Sequence, residues 1–179
     1  MIIEVRNSTT VFRGGLLTLK LDRIAVPDGR EADREYVVFG RSVVMVPVTD
    51  EDRVVLVNQY RHPTRDFLLE LPAGKVEENE DPEQAAAREL VEETGFRAKE
   101  LVRFGEFFLA PGYSTELMTG FVATGLVPGE KEPDPDEILS NVLLTREEVL
   151  TGLRSHRFRD AKTILGLLWW LARDFLPAA

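Results

Sequence analysis

Cysteine is absent from this sequence, and histidine occurs only twice. The absence of cysteine excludes a disulfide framework, a thiolate metal site and a cysteine nucleophile. The two histidines, His62 and His156, lie too far apart in the sequence to give a metal-ligand or catalytic-triad spacing. We therefore expect both to be structural or surface groups.

Positive charge and long apolar runs are also scarce. The chain has 22 Lys and Arg against 31 Asp and Glu, for a formal net charge of -9. Nucleic-acid binding draws most of its affinity from clustered cations, so this balance argues against a nucleic-acid partner, whereas a small anionic ligand needs only a few cations or metal ions. The longest apolar run, residues 164–172, is too short to span a bilayer, and residues 1–11 contain no hydrophobic signal core. We expect no membrane partner and a cytoplasmic location.

The sequence that remains is typical of one globular domain with a sizeable core: 179 residues, 44% of them hydrophobic and 30% charged. A turn signal at residues 27–30 predicts a small β-meander region over residues 1–40, ahead of a main domain over residues 41–179. Apolar and β-branched runs bounded by turn residues predict strands, and capped segments with helical periodicity predict helices. The predicted strands lie at 16–26, 35–39, 43–48, 54–60, 67–71, 117–124 and 142–144, and the predicted helices at 82–94, 146–153 and 161–176.

The first predicted helix concentrates acidic side chains on one side. Glu89 and Glu93 lie one turn apart and Glu92 lies three residues after Glu89, so the three carboxylates project together. Arg88 can pair with Glu92 at the i, i+4 spacing, which leaves at least two carboxylates without a cation. A hard divalent cation such as Mg²⁺, which prefers carboxylate oxygens, would compensate them. The alternative from this helix alone is a solvated acidic face.

The residues around the helix favour the metal site. Gly74 is followed after five residues by Glu80, and after seven more by Arg88-Glu89-Leu90-Val91-Glu92-Glu93-Thr94-Gly95-Phe96. This pattern resembles the complete Nudix box of the Nudix hydrolases, with Leu90 and Phe96 at its bulky apolar positions. The resemblance implies an α/β fold, the Nudix-type α/β/α sandwich in which helices flank a mixed β-sheet.

The resemblance also assigns roles to individual residues. The metal ligands would be the Ala73 carbonyl, which a tight turn at Gly74 leaves facing the helix, together with Glu89, Glu93 and Glu92. Glu92 and Glu93 would also be catalytic, while Arg88 would orient carboxylates and Glu80 would serve the loop or an outer metal. The implied cofactor is Mg²⁺, with Mn²⁺ as an alternative.

Two further elements resemble ADP-ribose pyrophosphatases within that family. Residues 110–116 contain Pro111 in the proline element of that subfamily, which implies substrate contacts from Pro111, Tyr113 and Glu116; the alternative is an ordinary Pro-Gly turn. Arg61 ends a segment whose arginine contacts the substrate diphosphate in such enzymes; the alternative is a surface charge. By analogy Phe12 and Tyr113 would stack on the base, against the alternative of core packing.

Two segments later in the chain complete the resemblance. The acidic stretch at 134–137 lies where these enzymes carry a loop with a catalytic carboxylate, which best matches Glu137 and leaves Asp136 and Asp134 as alternatives. Asp160-Ala161-Lys162-Thr163 opens the last helix as in nucleotide-sugar hydrolases of this group, although it is equally an ordinary helix start.

The resemblance implies hydrolysis of ADP-ribose to AMP and ribose 5-phosphate by a homodimer to which the N-terminal strands contribute. The alternatives are another nucleotide-sugar substrate such as GDP-mannose, and a non-catalytic nucleotide-sugar sensor. The Nudix box recognises the shared diphosphate, so it does not choose among bases or sugars. The full set of Glu89, Glu92 and Glu93 disfavours the sensor, which would not need every metal carboxylate.

The metal assignment predicts the behaviour of one conservative variant. Glu93→Gln should lower turnover by orders of magnitude, because it removes a charged metal ligand while keeping the size of the side chain. Its melting temperature should remain close to that of the unsubstituted protein. Steady-state kinetics and thermal unfolding measure the two effects, and a variant with full turnover would contradict the assignment.

Overall fold

The computed structural model describes residues 3–129 and 139–175, which form two compact units. Of these described residues, 3–41 and 108–117 form the first unit, and 42–107, 118–129 and 139–175 form the second. The strands are β1 (Glu4–Arg13), β2 (Thr18–Ala25), β3 (Glu31–Val38), β4 (Arg41–Pro47), β5 (Arg53–Arg61), β6 (Asp66–Glu70), β7 (Ala73–Lys75), β8 (Phe96–Arg97), β9 (Glu100–Phe108), β10 (Leu117–Thr124), β11 (Val127–Pro128) and β12 (Leu139–Thr145). The helices are α1 (Pro82–Thr94), α2 (Arg146–Arg154) and α3 (Ala161–Ala172), and α3 continues into a 3₁₀ turn over Arg173–Phe175.

The first unit is built on an antiparallel meander in the order β1-β2-β3. The predicted turn is confirmed: the Val26 N–H donates to the Arg30 carbonyl at 2.9 Å, and Gly29 takes a left-handed φ of 87°. Residues 108–117 join this sheet through a parallel bridge between Val37 and Ser114.

The second unit layers helices on both faces of a sheet with strand order β7-β4-β10-β9. Side chains of β4 alternate between the faces, as in any strand. Val43 and Met45 pack with Ala86 and Leu90 of α1 in one buried cluster. On the other face a Cβ on Gly166 of α3 would lie 3.2 Å from Val46. The predicted α/β/α sandwich is thus confirmed.

A second sheet, ordered β12-β5-β6, and the short pair β8-β11 complete the unit. In the antiparallel β12-β5 pair, Leu139 lies opposite Gln59 and Thr145 opposite Arg53. The residue that follows the undescribed segment 130–138 therefore pairs two positions before Arg61, at the end of β5.

The helix predictions are confirmed, with one shorter end. Asp81 caps α1 in a capping box with Gln84, and Gly95 ends it with a φ of 74°. The third helix was predicted to reach residue 176, but α-helical geometry ends at Ala172. There the Arg173 N–H bonds to the Trp170 carbonyl and the chain tightens into the 3₁₀ turn, a common helix end close to a proline, here Pro177. No helix in residues 3–129 and 139–175 is long and apolar enough to cross a membrane.

Candidate functional site

The local sequence of α1 separates an apolar face from an acidic one. Ala85, Ala86 and Leu90 are buried in the core cluster. Glu89 and Glu92 keep 15% and 36% of their side chains exposed, whereas Glu93 is only 2% exposed. Burying a carboxylate is costly unless hydrogen bonds or opposite charges compensate it. The groups around Glu93 must therefore compensate its buried carboxylate.

Arg88 is the hub that holds the other carboxylates. Its Nη1 donates to Glu89 and to Glu92, each at 2.9 Å, which confirms the predicted i, i+4 pair. Nε and Nη2 donate to the two oxygens of Glu80 at 3.0 Å, and Nη2 also reaches the Lys75 carbonyl at 2.9 Å. Arg88 thus orients carboxylates, as expected from the sequence.

The Arg88 hub shifts the protonation equilibria of its partners. Its guanidinium donates to Glu80 and lowers the pKa of that carboxyl below the ordinary value. In turn, the hydrogen bonds to Glu80 and Glu89 raise the pKa of Arg88. Glu80 also accepts from the Glu77 N–H at 2.9 Å, so it anchors the loop that precedes α1.

The turn after β6 brings backbone close to the carboxylates of α1. A Cβ on Gly74 would lie 1.8 Å from the Glu89 carboxyl carbon, so only glycine allows this approach. The Ala73 N–H donates to Glu93 at 3.0 Å, which satisfies part of that buried charge. Four predicted metal-site residues, Ala73, Glu89, Glu92 and Glu93, therefore lie around one loop-helix junction.

Arg61 is not a lone surface charge, because its partly exposed guanidinium pairs with a buried carboxylate. Its Nε and Nη2 donate to the two oxygens of Glu70 at 2.9 and 2.8 Å, a bidentate geometry. The hydrogen bond to Glu70 raises the pKa of Arg61, and the negative fields of Glu93 and Asp160 add to that effect. Arg61 therefore lies within electrostatic reach of Glu93.

The residues that hold Arg61 were not predicted from the sequence. Glu70 is 1% exposed and Lys162 is 7% exposed, and the Lys162 ammonium donates to Glu70. Burial raises the pKa of the Glu70 carboxyl, but the Arg61 and Lys162 contacts outweigh it, so the pKa lies below its ordinary value. Two features of the sequence could have indicated these residues. One is Glu70, a charged residue that directly follows three apolar residues in β6, and the other is the Asp160-Ala161-Lys162-Thr163 motif at the start of α3.

The proposed substrate contacts Phe12, Pro111, Tyr113 and Glu116 belong to the first unit. The Pro111 segment forms a turn in which the Tyr113 N–H donates to the Ala110 carbonyl at 3.0 Å. Phe12 and Tyr113 are 57% and 66% exposed, so the alternative that they are core residues is wrong. Glu116 is half-buried, and its N–H donates to the Ser114 hydroxyl at 3.2 Å. Their contacts with substrate remain predictions.

The three candidate loop carboxylates, Glu137, Asp136 and Asp134, lie outside the described residues. A contact that the sequence did not suggest follows that segment. The Asn141 side-chain amide donates to the Thr94 carbonyl at 2.6 Å and so satisfies one of the last carbonyls of α1.

The donor chemistry of the junction fits a hard divalent cation. Carboxylate and backbone carbonyl oxygens are the ligands that Mg²⁺ takes, and Glu93 presents a buried charge beside them. Within the ranges 3–129 and 139–175, no three acidic or histidine side chains already converge at metal-binding spacing.

Comparisons with known proteins show which family and fold the chain resembles. The family model of the NUDIX domain matches residues 38–166. The chain is 34% identical over 170 residues to the ADP-ribose pyrophosphatase of Bacillus subtilis (strain 168), covering 94% of this chain and 92% of that protein. It is 35% identical over 168 residues to the methanol dehydrogenase activator of Bacillus methanolicus, covering 93% and 91%. The fold is similar to a crystal structure of an ADP compounds hydrolase, with a TM-score of 0.87, 28% identity and coverage of 98% and 95%.

The Arg88 hub makes stability depend on pH in a defined direction. Arg88 lowers the pKa of Glu80 in the folded protein below its ordinary value of 4.5. The Arg88–Glu80 pair therefore stabilises the folded state fully above pH 4.5, and this stabilisation is lost as the pH falls through the lowered pKa. Arg88→Met should therefore lower the free energy of unfolding at pH 7, and this loss should shrink as the pH falls below 4.5. Urea unfolding across this range measures the effect.

The matched control is Arg103→Met, which removes a more exposed arginine from its 3.2 Å ion pair with Glu106. Its effect on stability should be small at every pH, because exposed pairs contribute about 0–1 kcal/mol. An equal loss for Arg88→Met at all pH values would contradict the charge compensation described above.

Proposed function

We propose, because the chain belongs to the Nudix family, that it hydrolyses the diphosphate bond of a nucleoside diphosphate sugar, with ADP-ribose as the leading substrate. The products would be AMP and ribose 5-phosphate. The observation that carries the proposal is the junction where Glu89 and the buried Glu93 of α1 meet the turn at Ala73 and Gly74, with Glu92 held by the same arginine, Arg88, as Glu89. Both the name of the Bacillus subtilis relative and that of the similar crystal structure favour an ADP-containing substrate.

The reaction consumes one water and breaks one bond between phosphorus and the bridging oxygen. A divalent ion, proposed to be Mg²⁺ with Mn²⁺ as the alternative, would neutralise the diphosphate and lower the pKa of the attacking water when bound. Glu89, Glu93 and the Ala73 carbonyl would hold it, with Glu92 assisting. Arg61 would bind the diphosphate and stabilise the charge that develops on its oxygens.

The base and the sugar would be recognised elsewhere in the chain. Phe12 and Tyr113 are exposed aromatic rings that can stack on a base. Pro111 and Glu116 are proposed substrate contacts because their segment resembles that of ADP-ribose pyrophosphatases. Glu137 is proposed to position the attacking water, with Asp136 and Asp134 as its alternatives.

A substrate panel tests the proposal. ADP-ribose, GDP-mannose, ADP-glucose, NADH, diadenosine polyphosphates and coenzyme A should be offered with Mg²⁺ and with a chelator. Hydrolysis should be followed by the inorganic phosphate that an added phosphatase releases from the monoester products. We expect activity that requires the metal, since the proposed site binds the diphosphate through metal and Arg61. The activity should be strongest on ADP-ribose, the substrate named for the Bacillus subtilis relative. If activity is highest on GDP-mannose, the proposed substrate changes to GDP-mannose. If no compound is hydrolysed but one binds tightly, the non-catalytic sensor is favoured.

The same assay separates the three loop carboxylates. Glu137→Gln, Asp136→Asn and Asp134→Asn each remove one charge and keep the side-chain size. If Glu137 positions the water, only its variant should lose turnover by about 100-fold or more, in the range of general acid–base effects. The largest loss in either aspartate variant would transfer the role to that residue.

We also propose that residues 1–40 form a dimerisation element. All ten residues of β1 are exposed, and Val5 and Val11 keep 53% and 57% of their surface. As the edge of the β1-β2-β3 sheet, the strand also offers unpaired backbone groups to a second copy. A cytoplasmic location is likewise proposed from the sequence.

Light scattering tests the proposed dimer. The protein should have twice its chain mass at micromolar concentration, and Val5→Glu with Val11→Glu should shift it to monomer, because the interface would bury those charges. Leu150→Glu, which changes an apolar residue on α2 that is 39% exposed, is the control and should leave the mass unchanged. A monomeric unsubstituted protein would exclude the dimer.

A further inference from the structure

Lys162 is a buried lysine whose ammonium lies between two carboxylates. It donates to Oε2 of Glu70, and it lies 3.0 Å from Oδ2 of Asp160, the N-cap residue of α3. Removing an ammonium from water is unfavourable, and pairing only offsets that cost when the geometry is good. Leaving the ammonium at the surface would avoid the cost, so the position of Lys162 suggests a role beyond stability.

Glu70 connects Lys162 to Arg61. The carboxylate receives Lys162 on one side and both Nε and Nη2 of Arg61 on the other. The Arg61 side chain remains 37% exposed, and no residue in the described ranges accepts a hydrogen bond from its Nη1. A guanidinium held along one edge has lost much of its rotational freedom, while its other edge can still donate to an oxyanion.

Thr163, which follows Lys162 in α3, contacts the chain directly after Glu70. The Thr163 hydroxyl accepts from the Leu71 N–H at 2.8 Å and donates to Asp160 at 2.6 Å. Two residues after Leu71, the Ala73 N–H reaches Glu93. The start of α3 therefore restrains segment 70–73, which orients Arg61 at its first residue and contacts the α1 carboxylates at its last.

We propose that Lys162 is a positioning residue: acting through Glu70, it holds the Arg61 guanidinium so that the Nη1 edge meets the diphosphate of the substrate. This rests on the proposed function, since it takes Arg61 as the diphosphate ligand. It also gives a role to the Asp160-Ala161-Lys162-Thr163 motif that neither the metal site nor base recognition requires. A residue that acts through Arg61 should have no effect once Arg61 is absent.

A double-mutant cycle measures that dependence on the leading substrate of the panel with Mg²⁺. Lys162→Met should raise KM by about tenfold with a smaller change in kcat, as expected for a weakened charged contact. In an Arg61→Ala background the same change should alter kcat/KM by less than about twofold, because Lys162 and Arg61 share Glu70 and groups in one hydrogen-bond network are coupled. Lys162→Arg, which keeps the charge, should restore most of the loss.

Arg159→Met is the matched control. Arg159 precedes α3 and pairs at 2.9 Å with Asp66, at the other end of the strand that carries Glu70, but both of these side chains are more than half exposed. This variant should leave KM and kcat unchanged. The positioning role is overturned if Lys162→Met lowers kcat/KM by the same factor with and without Arg61, or if Arg159→Met reproduces its effect.

A second measurement does not depend on turnover. In protein labelled with ¹⁵N-arginine, the Arg61 Nε–H signal is identified by its loss in Arg61→Ala. It should be protected from solvent exchange in the unsubstituted protein and in Arg159→Met, and should lose protection in Lys162→Met. An unchanged signal in Lys162→Met overturns the positioning role even if the protein hydrolyses its substrate. Absence of hydrolysis by the unsubstituted protein would instead refute the proposed function alone.

Glu70→Gln keeps the test decisive if Lys162→Met does not fold. The glutamine has nearly the same shape and retains one oxygen acceptor. It should raise KM and weaken protection of the Arg61 Nε–H, and its kinetic effect should vanish in the Arg61→Ala background. A Glu70→Gln protein with full affinity and an unchanged signal would overturn the proposal.

Discussion

Repulsion among closely spaced carboxylates is the constraint on which the candidate site depends. Glu89, Glu92 and Glu93 share one side of a single helix, and like charges so placed destabilise it. The fold compensates them in two ways: Arg88 bridges Glu89 and Glu92, while Glu93 turns inward to the Ala73 N–H. The loop, the short strand and the helix are therefore tied together by the need to neutralise charge.

Charge compensation also organises the ion pairs that Arg61 and Lys162 form with Glu70, where two cations are held by one buried carboxylate. A chain with a net charge of -9 has few places where an anionic diphosphate would be attracted. Arg61 and Lys162 share Glu70, and Arg61 also experiences the field of Glu93. Segment 70–75 thus contacts both groups of charged side chains, which brings the Arg61 guanidinium within the electrostatic field of the α1 carboxylate Glu93.

Local sequence predicted those parts of the fold whose signals are local. The helix α1 was predicted to the residue, because Asp81, Pro82 and Gly95 are strong capping and terminating signals. The strands β1 and β9 were missed for a shared reason: both lie at sheet edges, and their apolar residues do not alternate regularly. At β9, Phe104 packs over Gly120 of β10, a contact that no local pattern reveals.

The sequence by itself determined the family, the acidic helix and its glycine-containing turn, because these depend on residue types at short, fixed spacings. Only the tertiary structure decided that Arg61 is clamped by Glu70, that Lys162 is buried against it, and that Asn141 satisfies the end of α1. These contacts join residues up to 92 positions apart. Their partners are selected by sheet register and helix packing, which neighbouring residues do not encode.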